Sequence, residues 1–161
     1  MSVLAQAFQV VSLSPQGEVA RIRQVVVKFD DTAIKFGDPN APAPLDLQCS
    51  NTQAGQGTGR WLNERQWVYD FEADLPPGVA CTAKLKSGMK SVNGALLTGA
   101  DSYKFSSGGP FVQDIWPDPA TPIDEEQYFV LQLNGPATPA SVLANTWCAV
   151  EGLGERVAVR L

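Results

Sequence analysis

The chain has 161 residues, 44% of them hydrophobic and 18% charged, with a formal net charge of −5 and no histidine. This describes a folded chain with room for one or two small domains, not a disordered one. The acidic balance argues against a nucleic-acid partner, which needs clustered Lys and Arg. The missing histidine removes Ser-His-Asp triads, Cys-His pairs and His-containing zinc sites together.

In chain order, residues 1–7 (Met1-Ser2-Val3-Leu4-Ala5-Gln6-Ala7) carry no basic segment followed by an apolar run, so they do not form an intact signal peptide. No apolar stretch approaches the ~20 residues that span a bilayer as a helix. Twelve prolines and fourteen glycines punctuate short runs rich in Val, Phe, Tyr and Trp. Such runs are strand chemistry, and helix signals are poor. Strands are expected over 8–13, 20–29, 45–49, 67–72, 79–86 and 102–105. Turn signals at Pro15-Gln16-Gly17, Asp38-Pro39-Asn40, Pro76-Pro77-Gly78, Asn93-Gly94 and Gly108-Gly109-Pro110 separate them. Residues 50–59, polar and Gly-rich, are expected to form a flexible exposed loop. They are not a phosphate loop, because Gly59 is followed by Arg60-Trp61 and not by Lys-Ser/Thr.

Alternation sets the fold class. Trp67, Tyr69 and Phe71 share one face, as do Val25, Val27 and Phe29. One apolar and one mixed face is the pattern of an antiparallel sheet with one side in water. The expectation is an all-β, immunoglobulin-like antiparallel β-sandwich over 1–107, followed by a partial second β-domain over 108–161. The second part repeats the opening of the first: Val19 falls on Ile123, Val25 on Phe129, Val27 on Leu131 and Phe29 on Leu133. A tandem array cut in mid-domain is the expectation that follows. The short connection between the copies is expected to hold neighbouring domains in a fairly fixed pose.

Three cysteines are present, Cys49, Cys81 and Cys148. In a sandwich the segments holding Cys49 and Cys81 can lie side by side, so either they form a disulfide or they are two buried thiols. A bridge would close a loop of about thirty residues, worth roughly 3–4 kcal/mol, and would mark an oxidising compartment. Cys148 is left unpaired. If the repeat holds, its setting after the second long apolar strand makes it the counterpart of Cys49, with a partner missing from these residues; the alternatives are a lone core cysteine or a reactive thiol. No basic neighbour activates it as a nucleophile.

Asp30-Asp31, Asp70/Glu72/Asp74 and Asp124-Glu125-Glu126 lack calcium-loop spacing and read as solvated surface charge. Trp61, Trp67, Trp116 and Trp147 allow a sugar-binding module, with Trp61 or Trp116 as the candidate platform, although Trp67 alternates in phase with core residues. No catalytic residue, metal site or cofactor is expected.

The run Gly17-Glu18-Val19-Ala20-Arg21-Ile22-Arg23-Gln24-Val25-Val26-Val27-Lys28-Phe29, followed by Phe36-Gly37-Asp38-Pro39, resembles the N-terminal region of bacterial α2-macroglobulins. So does Arg60-Trp61 with Trp67-Val68-Tyr69-Asp70-Phe71-Glu72, then Asp74-Leu75-Pro76-Pro77-Gly78-Val79 and Cys81. Ile123-Asp124-Glu125-Glu126-Gln127 and Glu151-Gly152-Leu153-Gly154-Glu155 resemble the start of the next domain of that family. The resemblance implies a macroglobulin-like scaffold in a periplasmic or surface-attached protease trap used in bacterial defence. Its partners would be downstream macroglobulin domains of the same chain, and proteases through the full-length protein. The family's thioester motif, Cys-x-x-Gln, is absent: Thr52, Lys84 and Glu151 stand three residues after the cysteines. The alternative is a carbohydrate- or surface-binding Ig-like module of an adhesin or polysaccharide-active protein.

Overall fold

The computed structural model describes residues 8–161; the segment read above for a leader, 1–7, lies outside the described residues. The chain divides into two compact units, Met1–Gly109 and Pro110–Leu161. The division falls after Gly109, not after 107, because residues 107 and 108 are still bonded into the first unit. Ser107 N–H donates to Val79 O at 2.9 Å, and Gly78 N–H donates to Gly108 O at 2.7 Å.

The first unit is an all-β sandwich. Its strands are β1 (Phe8–Ser14), β2 (Gly17–Glu18), β3 (Gln24–Phe29), β4 (Leu45–Cys49), β5 (Gly57–Asn63), β6 (Gln66–Phe71), β7 (Ala80–Leu85), β8 (Leu97–Thr98) and β9 (Ser102–Ser106). One sheet has the order β5-β6-β3-β1-β8 and the other β2-β9-β7-β4. The first strand region serves both sheets: β1 pairs antiparallel with β3, and β2 pairs parallel with β9. This distribution matches an immunoglobulin-like sandwich, in which the strands of two hairpin sets share two facing sheets.

Alternation places the core. Val25, Val27 and Phe29 of β3 are buried, with Trp67 and Phe71 of β6, Phe8 and Leu13 of β1, and Cys81, Ala83, Leu85 and Phe105 from the other sheet. Each large side chain so buried contributes about 1.5–3 kcal/mol. Phe8 stacks on Phe29 at 5.1 Å, and Tyr69 meets Phe71 edge-on at 5.2 Å. At the sandwich's lower turn Ser107, itself buried, accepts the Val79 N–H at 3.0 Å and donates to Pro76 O at 2.6 Å.

Two expectations shift. The strand expected from residue 20 begins at Gln24, since the chain crosses between the sheets over 19–23 and Arg21 takes a positive φ of 57° there. The loop expected over 50–59 stops at 56, and Gly57 opens β5. Glycine is required here because a Cβ at Gly57 would run into the backbone of Asp70, and one at Gly59 into the Trp67 ring. These residues read as loop because they are small, yet they are small so that β6 can approach.

The second unit holds β10 (Val112–Trp116), β11 (Val130–Leu133), α1 (Pro139–Asn145), β12 (Trp147–Ala149) and β13 (Arg156–Ala158). β10 pairs antiparallel with β11, and β12 with β13. The short helix is capped by Thr138, whose hydroxyl accepts the Ser141 N–H at 3.2 Å, with Pro139 at its first turn.

Candidate functional site

The sequence-derived residues fall in two places, the disulfide corner of the first unit and the strand pair of the second. Cys49 and Cys81 face each other across β4 and β7 and are bridged, with a Cα–Cα distance of 4.0 Å. The bridge ties neighbours within one sheet. Disulfides persist in oxidising compartments, so the chain belongs to an exported protein.

Segment 50–56 folds over this bridge. Ser50 N–H donates to Ala80 O at 2.8 Å, and Ala80 N–H returns to Ser50 Oγ at 3.1 Å. Asn51 turns the chain by accepting the Ala54 N–H on its side chain and the Gly55 N–H on its carbonyl. The Tyr69 hydroxyl donates to Gly55 O at 2.8 Å. Burial, then the nearby Glu72 charge, push the Tyr69 phenol above its ordinary value. Hydrogen bonding therefore orders a segment whose composition suggested flexibility.

An open cleft of about 760 Å³ lies here, lined by Cys49, Gly55, Gly57, Tyr69 and Glu72 among others. Within it the Tyr69 hydroxyl proton is already held by Gly55 O, and Thr52 and Glu72 add a hydroxyl and a carboxylate to the lining. A second open cleft of about 780 Å³ is lined by Asp46, Lys84, Lys86 and Asp101 among others, with Lys86 paired to Asp46 at 3.8 Å.

The acidic groups are tied into local structure. Asp70 accepts from Gln24 Nε2 at 2.6 Å and pairs with Arg60 at 3.0 Å, across β3, β6 and β5. Asp74 meets Arg23 at 3.3 Å. Asp31 sits below the usual carboxylate value, chiefly through the Thr32 backbone N–H and then the Asn93 amide. Asp124, Glu125 and Glu126 are exposed. Among the described residues no cluster of three His, Cys, Asp or Glu could hold a metal.

The tryptophans form no platform in the first unit. Trp67 is buried, and Trp61 donates its indole N–H to Pro42 O at 3.1 Å while packing on Phe29 at 5.9 Å. In the second unit Arg156 lies over the Trp147 ring at 4.0 Å from its centre, so that face is taken. Trp116 is exposed at the end of β10.

The second unit is of a different kind. From 108 to 161 no residue is buried, and Trp116, Ile123, Tyr128, Phe129, Val130, Trp147, Leu153 and Val157 are all exposed. Its strand pair nevertheless copies the first unit residue for residue. In β1–β3, Val10 pairs with Phe29, Ser12 with Lys28, Leu13 with Val27 and Ser14 with Val26, with a bulge between Val10 and Ser12. In β10–β11, Val112 pairs with Leu133, Asp114 with Gln132, Ile115 with Leu131 and Trp116 with Val130, with a bulge between Val112 and Asp114. Cys148, on β12 opposite Val157, is a free thiol of intermediate burial.

No family model and no curated protein matches the chain. Among solved structures it is similar to the L,D-transpeptidase LdtMt1 in complex with imipenem, at 14% identity and a TM-score of 0.44, over 65% of this chain and 41% of that one. It is also similar to an L,D-transpeptidase from Mycobacterium tuberculosis H37Rv, at 19% identity and a TM-score of 0.44, over 79% of this chain and 49% of that one. L,D-transpeptidase 3 from Mycobacterium tuberculosis matches at 19% identity and a TM-score of 0.44, over 81% and 49%. The chain spans at most about half the length of these structures.

The α2-macroglobulin resemblance is corrected by these findings: no family model or curated protein supports it, and the matched structures are L,D-transpeptidases. The protease-inhibitor, trap and bacterial-defence readings go with it, and the sugar-binding alternative has no support in them either. The physical reason lies in the residues that carried the resemblance. Segments 17–29 and 67–81 are the alternating apolar strands β3 and β6 and the Pro76-Pro77-Gly78 turn, where Gly78 has φ 81°. Sandwich patterning alone accounts for them.

Proposed function

We propose that this chain is a non-enzymatic assembly module of an exported protein of the cell envelope. The first unit is the rigid mount, and the second presents strand edges and apolar side chains to a protein partner. The observation that carries the reading is the contrast between the units. The first buries Phe8, Val25, Val27 and Trp67 in one core, whereas the second buries nothing and leaves its aromatic residues open. Contiguous exposed apolar surface marks interaction sites, and a two-stranded hairpin is marginal in water without something to pack on.

The lack of histidine and the acidic net charge support a partner that is protein, not nucleic acid, and a role outside catalysis. The disulfide supports a periplasmic or outer-surface address.

The test is the binding of bis-ANS, an apolar surface dye, to the full chain. Strong fluorescence is expected, and the combined changes Trp116→Ser, Phe129→Ser and Trp147→Ser are expected to reduce it at least about threefold. Val11→Ser, at an exposed position of the first unit, is expected to leave it unchanged. A chain that does not bind the dye, or a triple variant that binds it equally, contradicts the reading.

A further inference from the structure

The two ends of the Cys49–Cys81 bridge have unequal surroundings. Cys81 is buried in the core of the first unit. Cys49 is half-buried and lines the open cleft of about 760 Å³. Strand order explains the difference. The two residues face each other across β4 and β7. Beyond Cys81 lies β9, where the buried Phe105 is its partner. Beyond Cys49 no strand follows among the described residues, because β4 is the last of its sheet.

A thiolate opens a disulfide by attacking one sulfur from the side opposite the bond that breaks. For Cys81 Sγ that side is closed by β9 and the core. For Cys49 Sγ it is the cleft, and the cover there is the backbone of Gly55. A Cβ built on Gly55 would lie 3.2 Å from Cys49 Sγ, so the chain passes close over the sulfur and leaves no room to spare for a side chain. Hydrogen bonds hold this cover. Gly55 N–H donates to Asn51 O at 3.1 Å, and Gly55 O accepts the Tyr69 hydroxyl at 2.8 Å. Ser50, Asn51, Thr52, Gln53 and Gln56 are exposed. A segment held by few bonds and little burial opens locally at low cost, without unfolding the sandwich.

We propose that the bridge is a thiol–disulfide exchange site, opened at Cys49 by an incoming dithiol that enters through the cleft. A thiolate of the dithiol bonds to Cys49 Sγ, and the Cys49–Cys81 bond breaks. The electron pair leaves on Cys81 Sγ, which takes a proton from water. The second thiol of the dithiol then displaces Cys49 as a thiolate. The bridge has gained two electrons, and the dithiol has become a disulfide. Cys81 leaves in apolar surroundings, which slows the first step and lets the bridge persist between encounters. The ladder from Leu45 opposite Leu85 to Cys49 opposite Cys81 is backbone pairing, so the reduced unit keeps its sheet and gains a thiol at the cleft.

Reduction of the full chain by dithiothreitol, in a Cys148→Ser background and across urea concentrations below the unfolding transition, tests the proposal. The rate is expected to stay nearly flat with urea, as attack on the native state requires. Tyr69→Phe frees the Gly55 cover and is expected to raise that flat rate at least about fivefold, the equivalent of one hydrogen bond. Single-cysteine chains then report which sulfur is open. With oxidised glutathione, Cys49 in the Cys81→Ala chain is expected to form its adduct at least about tenfold faster than Cys81 in the Cys49→Ala chain. A reduction rate that climbs with urea in step with global unfolding overturns the proposal. So does an unchanged rate in Tyr69→Phe, or equal labelling of the two cysteines. Should the single-cysteine chains not fold, the urea dependence of the bridged chain decides alone.

Discussion

Alanine at both Cys49 and Cys81 is expected to lower the unfolding free energy of the first unit by about 3–4 kcal/mol. The bridge spans a sequence separation of 32, and the chain it encloses contains β5 and β6. Without it the unfolded ensemble regains the freedom of that whole loop, while the folded state keeps its sheet pairing from Leu45 opposite Leu85 onward. Alanine is preferred to serine because Cys81 is buried and a hydroxyl there would need a partner. Urea unfolding followed by tryptophan fluorescence reads the loss. For a domain of this size, one to two kilocalories is already a large share of the total stability. A loss below about 1 kcal/mol would show that the bridge adds little to the sandwich.

Trp67→Ala is the second large effect, with an expected loss of about 3–5 kcal/mol. Trp67 is 3% exposed and sits opposite Val27 on one side and Trp61 on the other. Its ring covers Gly59, one of the two β5 residues with no side chain of their own. The ring thus fills a gap in the edge strand and part of the core together, and its removal leaves a cavity that β5, held from one side, cannot close by repacking. Trp67→Phe keeps an aromatic ring over the glycine and should cost less than half as much. Equal losses for the two variants in denaturant unfolding would contradict this role.

Much of the first unit was legible because its strands alternate. Val25, Val27 and Phe29, and Trp67, Tyr69 and Phe71, announce both their strands and the faces they bury. That Cys49 and Cys81 lie opposite each other on β4 and β7 is a matter of strand order, which alternation does not carry. What escaped is what periodicity cannot carry. β5 hides in Gly57, Thr58 and Gly59, where the informative property is the absence of a side chain, and its meaning depends on Asp70 and Trp67 across the sheet. β2 and β8 are too short to show any period. The helix α1 did carry a signal, Thr138-Pro139, at odds with a chain otherwise poor in helix markers.

The repeat was visible as aligned apolar residues, but its full depth is a matter of backbone. The bulge of β1 recurs in β10 at the matching place, and no residue type marks it. The family reading failed at another level. Patterning that any such sandwich requires carries no lineage, and fold and function are separable. The exposure of the second unit's apolar side chains is not written in the sequence, where Phe129, Leu131 and Leu133 alternate as the core residues Val25, Val27 and Phe29 do. Burial was needed to recognise it.

The central claim is that one chain carries a closed unit and an open one. Native-state hydrogen exchange on the full chain, at dilution low enough to keep it monomeric, tests this most directly. Amides of β3, β6 and β7 are expected to exchange only through global unfolding of the first unit. Those of β10, β11, β12 and β13 are expected to exchange through low-energy local opening. Protection of the second unit's strands equal to that of β3, in the dilute monomer, would contradict the account.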